Sequence, residues 1–139
     1  MAYFCILNLA FLICSACSVP NLESQECSEA RDAVKEFYSY HFGNDMKPSA
    51  ENLRSRQRFL TPEFYKRVSA TLDIKTDIFT ASDDPPKTFK IAVCKEIDPQ
   101  KVDMQVQIYW RTDEKTTQKE VHVETVKTGD TWLINNVSK

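Results

Sequence analysis

A change of hydrophobic period near Thr88 constrains the fold of this chain more than any other feature. Upstream of Thr88, apolar residues recur at helical spacing, and downstream of it they alternate with polar residues. A period of about 3.6 residues indicates helices, whereas a period of about 2 indicates half-buried strands. Because the helices come first and the strands afterwards, the sequence predicts an α+β domain in which N-terminal helices pack on one face of a sheet.

Three helices are predicted upstream of the change. The first covers residues 28–42, with Ser28 as its N-cap and Gly43 directly after its end. A shorter helical stretch follows at 50–59, and the Thr-Pro-Glu segment at 61–63 is a strong start signal for a third helix. The expected buried positions are Ala30, Val34, Phe37, Tyr38 and His41 on the first helix and Phe64, Tyr65, Val68 and Leu72 on the third.

Four strands are predicted downstream. Short connections join them, including an Asp98-Pro99 turn and a hairpin loop at 128–130, so they form a four-stranded antiparallel meander. The inward positions are Phe89, Ile91 and Val93 on the first strand, Val102, Met104, Val106, Ile108 and Trp110 on the second, Val121 and Val123 on the third, and Trp132 and Ile134 on the last.

The N-terminal 22 residues differ from the rest because they carry no charged side chain; the first is Glu23. The apolar run from Ala2 to Val19 would reach roughly 27 Å as a helix, nearly the thickness of a bilayer core. It could be a signal peptide, a retained membrane anchor or a core helix. The last is disfavoured, because a helix that is apolar on every face needs a large protein around it.

Small residues precede Cys17, at Ser15 and Ala16, as signal peptidases require. This segment resembles the bacterial lipobox, although Cys14 stands where leucine is usual and the n-region has no Lys or Arg. The resemblance implies that residues 1–16 are a signal peptide, that Cys17 becomes an acylated N-terminus, and that 17–27 form a tether before one domain at 28–139. The protein would then be lipid-anchored in the cell membrane or outer membrane, facing the periplasm or the cell exterior. Plain secretion and a retained anchor stay open as alternatives.

Charge and composition exclude several function classes. The chain has 18 basic and 20 acidic side chains without a basic cluster, so nucleic-acid binding is not expected. Its two glycines cannot build a glycine-rich phosphate loop, and no cofactor is predicted.

The cysteines leave one pair to explain. Cys5 and Cys14 would leave with the signal peptide, and Cys27 and Cys94 remain in the domain as either a disulfide or two buried thiols. Strand alternation places Cys94 on the face opposite Ile91 and Val93. Two distant cysteines and two scattered histidines match no metal-ligand spacing, so no metal site is expected.

The order of elements over residues 28–138 resembles the cone-shaped superfamily named for nuclear transport factor two, which includes ketosteroid isomerase and scytalone dehydratase. The segments ARDAVKEFYSYHF, LTPEFYKRV, SDDPP and GDTWLINNV resemble an uncharacterised bacterial lipoprotein family within it. This resemblance implies a curved sheet and an exported location, and it implies no chemistry.

In enzymes of the cone fold, the pocket between the long helix and the sheet holds the acid–base groups, so Tyr38, His41, Tyr65 and Trp110 are the candidate pocket residues here. The alternative is that they fill a core, with His41 favoured at a helix C-terminus by the dipole. No Asp or Glu occupies an inward strand position, so no catalytic residue is predicted. His122 is expected to face away from the pocket, beside Gln107 or Tyr109.

These observations predict a non-enzymatic, membrane-tethered domain that binds a small ligand or a protein, through the cone mouth or the outer sheet face, where a homodimer could also form. Two alternatives stay open. One is an immunity or inhibitor protein against a delivered toxin, and the other is a small enzyme of the isomerase or dehydratase type.

Overall fold

The computed structural model describes residues 23–139, and it has the predicted α+β architecture. Three helices precede the sheet: α1 (Gln25–Phe42), α2 (Ala50–Arg56), which continues into a turn of 3-10 helix at Gln57–Phe59, and α3 (Pro62–Ala70). The strands are β1 (Thr88–Asp98), β2 (Lys101–Arg111), β3 (Thr116–Thr128) and β4 (Thr131–Ser138). They pair antiparallel in the order β1-β2-β3-β4, which confirms the meander. Within the described residues, no helix is long and apolar enough to cross a bilayer.

Helix α1 begins earlier than predicted. Ser24, rather than Ser28, is the N-cap, and its hydroxyl accepts a hydrogen bond from the backbone N–H of Cys27 at 3.2 Å. The Ser28 start was therefore wrong, and residues 25–27, assigned to the tether, belong to the helix. The reason is tertiary: Cys27 is buried and bonded to Cys94, so the sheet holds this first turn in place.

The other helix starts follow their caps. Ser49 caps α2 by accepting from Asn52 N at 3.0 Å, and Thr61 caps α3 by accepting from Phe64 N at 3.2 Å, with Pro62 at the first helical position. Each such cap stabilises its helix by about 1 kcal/mol. The predicted start of α3 at residues 61–63 is confirmed residue by residue.

The core lies between α1 and one face of the sheet. The alternation predicted for β2 is confirmed, because Val102, Met104, Val106 and Ile108 are all fully buried. Burying one such side chain contributes roughly 1.5–3 kcal/mol, so this strand supplies much of the apolar stabilisation. Facing it, α1 buries Ala30, Val34, Phe37, Tyr38 and His41, as its helical spacing predicted.

Strand β1 departs from the predicted alternation at a β-bulge. Ile91 pairs with Val106, but Cys94 pairs with Met104, so three residue steps on β1 match two on β2. The extra residue reverses the phase of the strand. Val93, predicted to face inward, is 64% exposed, and Cys94 instead turns towards the core beside Ile91.

The bulge explains how the cysteines meet. Cys27 on α1 and Cys94 on β1 form a disulfide with a Cα–Cα distance of 5.9 Å. Of the two states that the sequence left open for this pair, the structure has the disulfide. Without the bulge, Cys94 would point away from α1, as strict alternation predicts.

Candidate functional site

A cavity of about 380 Å³ lies at the C-terminal end of α1, between α2, the end of α3 and the segment 71–81 that precedes β1. Ligand pockets commonly measure about 300–1,000 Å³, so this cavity can enclose a small molecule. Apolar side chains from all these elements and from the end of β4 form most of its wall: Leu53, Val68, Leu72, Ile78, Phe79 and Val137.

A tight turn in the segment 71–81 shapes one side of the cavity. The backbones of Asp77 and Ser82 exchange two hydrogen bonds, of 2.9 and 3.3 Å, and the Asp77 Oδ1 atom accepts from Phe79 N at 3.1 Å. Ala81 closes the turn with a φ of 52°, a left-handed conformation that strains any residue with a side chain. The turn thereby holds Ile78 and Phe79 in the cavity wall.

A chain of buried polar side chains joins three elements beside these apolar residues. Arg56 Nε, at the end of α2, donates to His41 Nδ1 at 2.7 Å, and His41 Nε2 bonds Asp77 Oδ2 at 2.8 Å. Thr80 Oγ1 donates to the same Asp77 oxygen at 2.6 Å. Arg56, His41 and Asp77 all line the cavity and are 2%, 1% and 8% exposed. We call Arg56, His41, Asp77 and Thr80 the polar relay.

The hydrogen bonds fix the protonation of the His41 ring. Arg56 Nε is a donor only, so His41 Nδ1 must accept, and the ring proton lies on Nε2 and is donated to Asp77. The ring also stacks on Phe37, with centroids 5.6 Å apart and planes at 8°. Because both nitrogens are engaged, His41 could accept a substrate proton only by giving up a buried hydrogen bond.

Burial shifts the pKa of one residue next to the relay, Tyr38, and of one residue within it, Arg56. Desolvation raises the pKa of the Tyr38 phenol well above its ordinary value, and the charge of Asp77 adds to that rise. Desolvation lowers the pKa of Arg56, while Asp77 opposes the change. The raised pKa keeps Tyr38 a neutral hydrogen-bond donor.

The four candidate pocket residues lie in different places. His41 lines the cavity, and Tyr38 lies behind its wall, where the phenol donates to the carbonyl of Phe79 at 2.8 Å. Tyr65 packs partly buried against the core on α3. Trp110 is at the end of β2, where its indole Nε1 donates to the carbonyl of Asp84 at 2.9 Å. Cys17 lies outside the described residues.

Sequence reasoning missed Arg56 and Asp77. Arg56 stands three residues after Leu53, so helical spacing puts both on one face, but charged side chains are almost never buried without partners, and no partner was visible in the sequence. Asp77 sits in a segment without periodicity. Its one local signal is the Asp-x-x-Thr spacing to Thr80, which suits a side-chain-bonded turn.

Two further cavities have more polar walls. One, of about 510 Å³, lies between α1 and β4 among charged residues that include Glu29, Asp32, Glu36 and Arg58. The other, of about 500 Å³, adjoins the first cavity and shares residues 46–48 and Asp77 with it. The first cavity therefore combines an apolar wall with the buried polar relay, and it is the stronger candidate site.

The outer sheet face carries His122, as predicted, but beside different neighbours. Its Nδ1 bonds Asp103 Oδ2 at 2.8 Å, its Nε2 lies 3.4 Å from Glu120 Oε1, and its direct cross-strand partner is Gln105. The predicted contacts with Gln107 or Tyr109 were wrong, because the register sets β3 two residues further along β2. The Asp103 hydrogen bond raises the pKa of His122 above its ordinary value.

Residues 23–139 contain one cluster of three side chains with metal-ligand atoms within 4.8 Å of one another: Glu23, Cys27 and Cys94. Both sulfurs are committed to the disulfide, and the Glu23 carboxylate forms an ion pair with Arg31. This arrangement ties the start of α1 to β1, and it does not suit a metal ion, because a cysteine binds a metal as a free thiolate.

Comparison with known proteins supports the fold alone. No protein-family model matches the chain, and no curated protein is significantly similar to it. Among solved structures, a protein of unknown function from Bacteroides thetaiotaomicron is similar with a TM-score of 0.62 and 19% sequence identity. The match covers 81% of this chain and 90% of that protein. At this identity, the likeness says nothing about ligand or activity.

Proposed function

We propose that this protein is an exported, lipid-anchored binding domain whose 380 Å³ cavity takes a small ligand without chemical conversion. The observation that carries the binding role is the combination of an apolar cavity with a histidine whose two ring nitrogens are both hydrogen-bonded by protein groups. A general base needs a free acceptor atom within reach of its substrate. The bonding of His41 therefore favours binding over an isomerase or dehydratase reaction.

The helices-on-meander arrangement supports the cone-shaped fold as part of this proposal. In that fold the cavity would be the mouth between the helices and one end of the sheet. The cavity at the C-terminal end of α1, lined by α2, α3 and the end of β4, has the composition that such a mouth requires.

Export and anchoring through Cys17 are supported by the disulfide. Disulfides persist in oxidising compartments and are rare in the cytosol, so the Cys27–Cys94 bond suits an exported protein. Glu23 is six residue steps from Cys17, a span of at most about 22 Å when extended. An acylated Cys17 would hold the domain within that distance of the membrane, and stable attachment needs more than one acyl chain.

Mass spectrometry of the protein from the membrane fraction tests the anchor. We expect an N-terminus at Cys17 that carries diacylglyceryl and acyl mass, and we expect Cys17→Ser to abolish both processing and membrane retention. An intact leader, or a soluble product without lipid, would contradict the anchoring.

Titration of the isolated domain with small naphthalene derivatives, followed by amide NMR shifts, tests the binding role. We expect shifts to concentrate on residues that line the cavity. Leu72→Trp, which fills the cavity from a half-buried position, should abolish binding. The matched control is Ile97→Trp on β1, a side chain that is 52% exposed, and it should bind as the wild type does.

A second candidate function is the binding of a protein partner or a second copy along β1. This strand is an edge of the sheet and exposes Val93 and Ile97 by 64% and 52%. Light scattering of the isolated domain decides whether it self-associates. A dimer in the wild type that becomes a monomer in Val93→Glu would support this candidate, and a monomer at every concentration would exclude the second copy.

A further inference from the structure

The hydrogen bonds in the cavity wall restrict the chemical class of the ligand. Arg56 is the cation within the polar relay, but its N–H groups are largely committed. Besides the bond to His41, its Nη1 donates to the carbonyl of Asn52 at 2.7 Å and to Ser55 Oγ at 3.1 Å, and its Nη2 donates to the carbonyl of Asp45 at 2.7 Å. Four of the five donors of a guanidinium are thus used by protein acceptors.

Asp77 can accept one more hydrogen bond. A carboxylate offers about four acceptor positions, and Asp77 uses three, for His41 and Thr80 at Oδ2 and for Phe79 N at Oδ1. The remaining position is on Oδ1. Asp77 lines both the 380 Å³ cavity and the adjoining one, so a ligand in either can approach it.

The charge that the polar relay presents to a ligand follows from these hydrogen bonds. An anionic ligand would meet an acceptor-only carboxylate and a guanidinium that already faces protein carbonyls. A ligand with an O–H or N–H group would instead supply a second donor to Oδ1, which already accepts from Phe79 N, and a hydrogen bond to a charged acceptor is stronger than a neutral one. Much of the rest of the wall is apolar, including Leu53, Val68, Leu72 and Phe79, and suits an apolar ring or chain.

We infer that the ligand is an apolar molecule with one hydrogen-bond donor that pairs with Asp77, and that the group in contact with the polar relay is not an anion. This inference rests on the proposed binding function and narrows it to a ligand class. It gives Asp77 two tasks, holding the turn at 77–82 and selecting the ligand.

Three probes with one apolar body separate the alternatives: naphthol, which donates a hydrogen bond; methoxynaphthalene, which does not; and naphthoate, which is an anion. Their dissociation constants are measured by amide NMR titration of the disulfide-bonded domain. We expect naphthol to bind roughly tenfold more tightly than methoxynaphthalene, the effect of one net hydrogen bond, and naphthoate to bind most weakly.

Asp77→Asn tests whether the carboxylate is responsible. Removing its charge should reduce the preference for naphthol over methoxynaphthalene and strengthen naphthoate binding severalfold. Asp73→Asn, an exposed carboxylate on the rim of the same cavity, is the matched control and should leave the order unchanged. If Asp77→Asn does not fold, the order of the three probes on the wild-type domain still decides.

The outcomes separate the two proposals. Equal affinities for naphthol and methoxynaphthalene, or tightest binding of naphthoate, would overturn the ligand class and leave the binding function standing. If none of the probes shifts the cavity residues, both the binding function and the ligand class fail.

Discussion

The two ends of helix α1 are held by different kinds of interaction. At the N-terminal end, the Cys27–Cys94 disulfide ties α1 to β1, and Arg31, which pairs with Glu23, donates to the carbonyl of Ile91 on β1. Glu29 accepts from Lys127 on β3 and Trp132 on β4. At the C-terminal end, about 21 Å away along the helix, His41 is held by Arg56 and Asp77 from two other segments. The first end is cross-linked, whereas the second is hydrogen-bonded around a cavity.

The difference indicates which end of α1 is rigid and which end can adapt to a ligand. A disulfide restricts the unfolded chain and leaves little to rearrange in the folded one. Buried polar groups are costly to desolvate, and they hold a structure only while each keeps its partners. A cavity bordered by such groups suits a ligand, because the hydrogen bonds that hold the surrounding segments in place also define the shape of the space.

The largest effect is expected at the cross-linked end. Replacing both Cys27 and Cys94 with alanine should lower the free energy of unfolding by roughly 4 kcal/mol, because the lost bond closes a loop with a sequence separation of 67 residues. Urea unfolding measures the loss. As a control, reductant should destabilise the wild type by a similar amount and leave the double variant unchanged. A loss below about 1 kcal/mol would mean that this end is held by packing alone.

A slightly smaller loss is expected at the hydrogen-bonded end. Asp77→Ala removes the acceptor for His41 and Thr80 and should lower the free energy of unfolding by about 3 kcal/mol, since it leaves buried donors and the Arg56 charge uncompensated. Asp73→Ala, an exposed neighbour in the same segment, should change stability by no more than about 0.5 kcal/mol. If Asp77→Ala lowered the free energy of unfolding as little as Asp73→Ala, the relay would contribute nothing to stability.

A gain in stability is expected at the strained turn of the same end. Ala81 has a φ of 52°, which glycine adopts without steric cost, so Ala81→Gly should raise the free energy of unfolding by about 1 kcal/mol. The same change at Ala33, in the interior of α1, should lower it by about 1 kcal/mol. A lower stability in Ala81→Gly would indicate that the turn is not strained.

The smallest effect is a pH dependence at the cross-linked end. Hydrogen bonds from Lys127, Trp132 and Gln25 lower the pKa of Glu29 from 4.5 to about 2. Since the folded pKa is below the unfolded one, this contribution is present above pH 4.5 and is lost as the pH falls towards 2. Across this window, the melting temperature of the wild type should fall more steeply with decreasing pH than that of Glu29→Gln. Equal slopes would show that Glu29 does not contribute to the pH dependence of stability.

Local signals in the sequence were sufficient for most of the fold. Thr61-Pro62 set the start of α3, Gly129 lies in the loop between β3 and β4 with a φ of 62°, and the alternation of β2 gave its buried face. Each of these depends on neighbours within a few residues. The start of α1 was misplaced because Ser24 and Ser28 offer similar local caps, and contact with Cys94 decides between them.

The candidate site could be predicted only in part. His41 was a candidate because it shares a helix face with Phe37 and Tyr38, and it does line the cavity. Its partners come from positions 15 and 36 residues further along the chain, which no periodic pattern relates to it. The placement of Cys94 failed for a similar reason, because a single extra residue in β1 reverses the side chains that follow it, up to the next register shift after Glu96.

The sequence by itself determined the element order, the meander and the buried faces of α1 and β2, because hydrophobic period and capping act over one or two helical turns or a few strand residues. Only the tertiary structure decided the bulge that brings Cys94 to Cys27, the burial of Arg56 and the meeting of His41 with Asp77. Those features depend on whether distant groups can satisfy one another's charge and hydrogen bonds once water is removed.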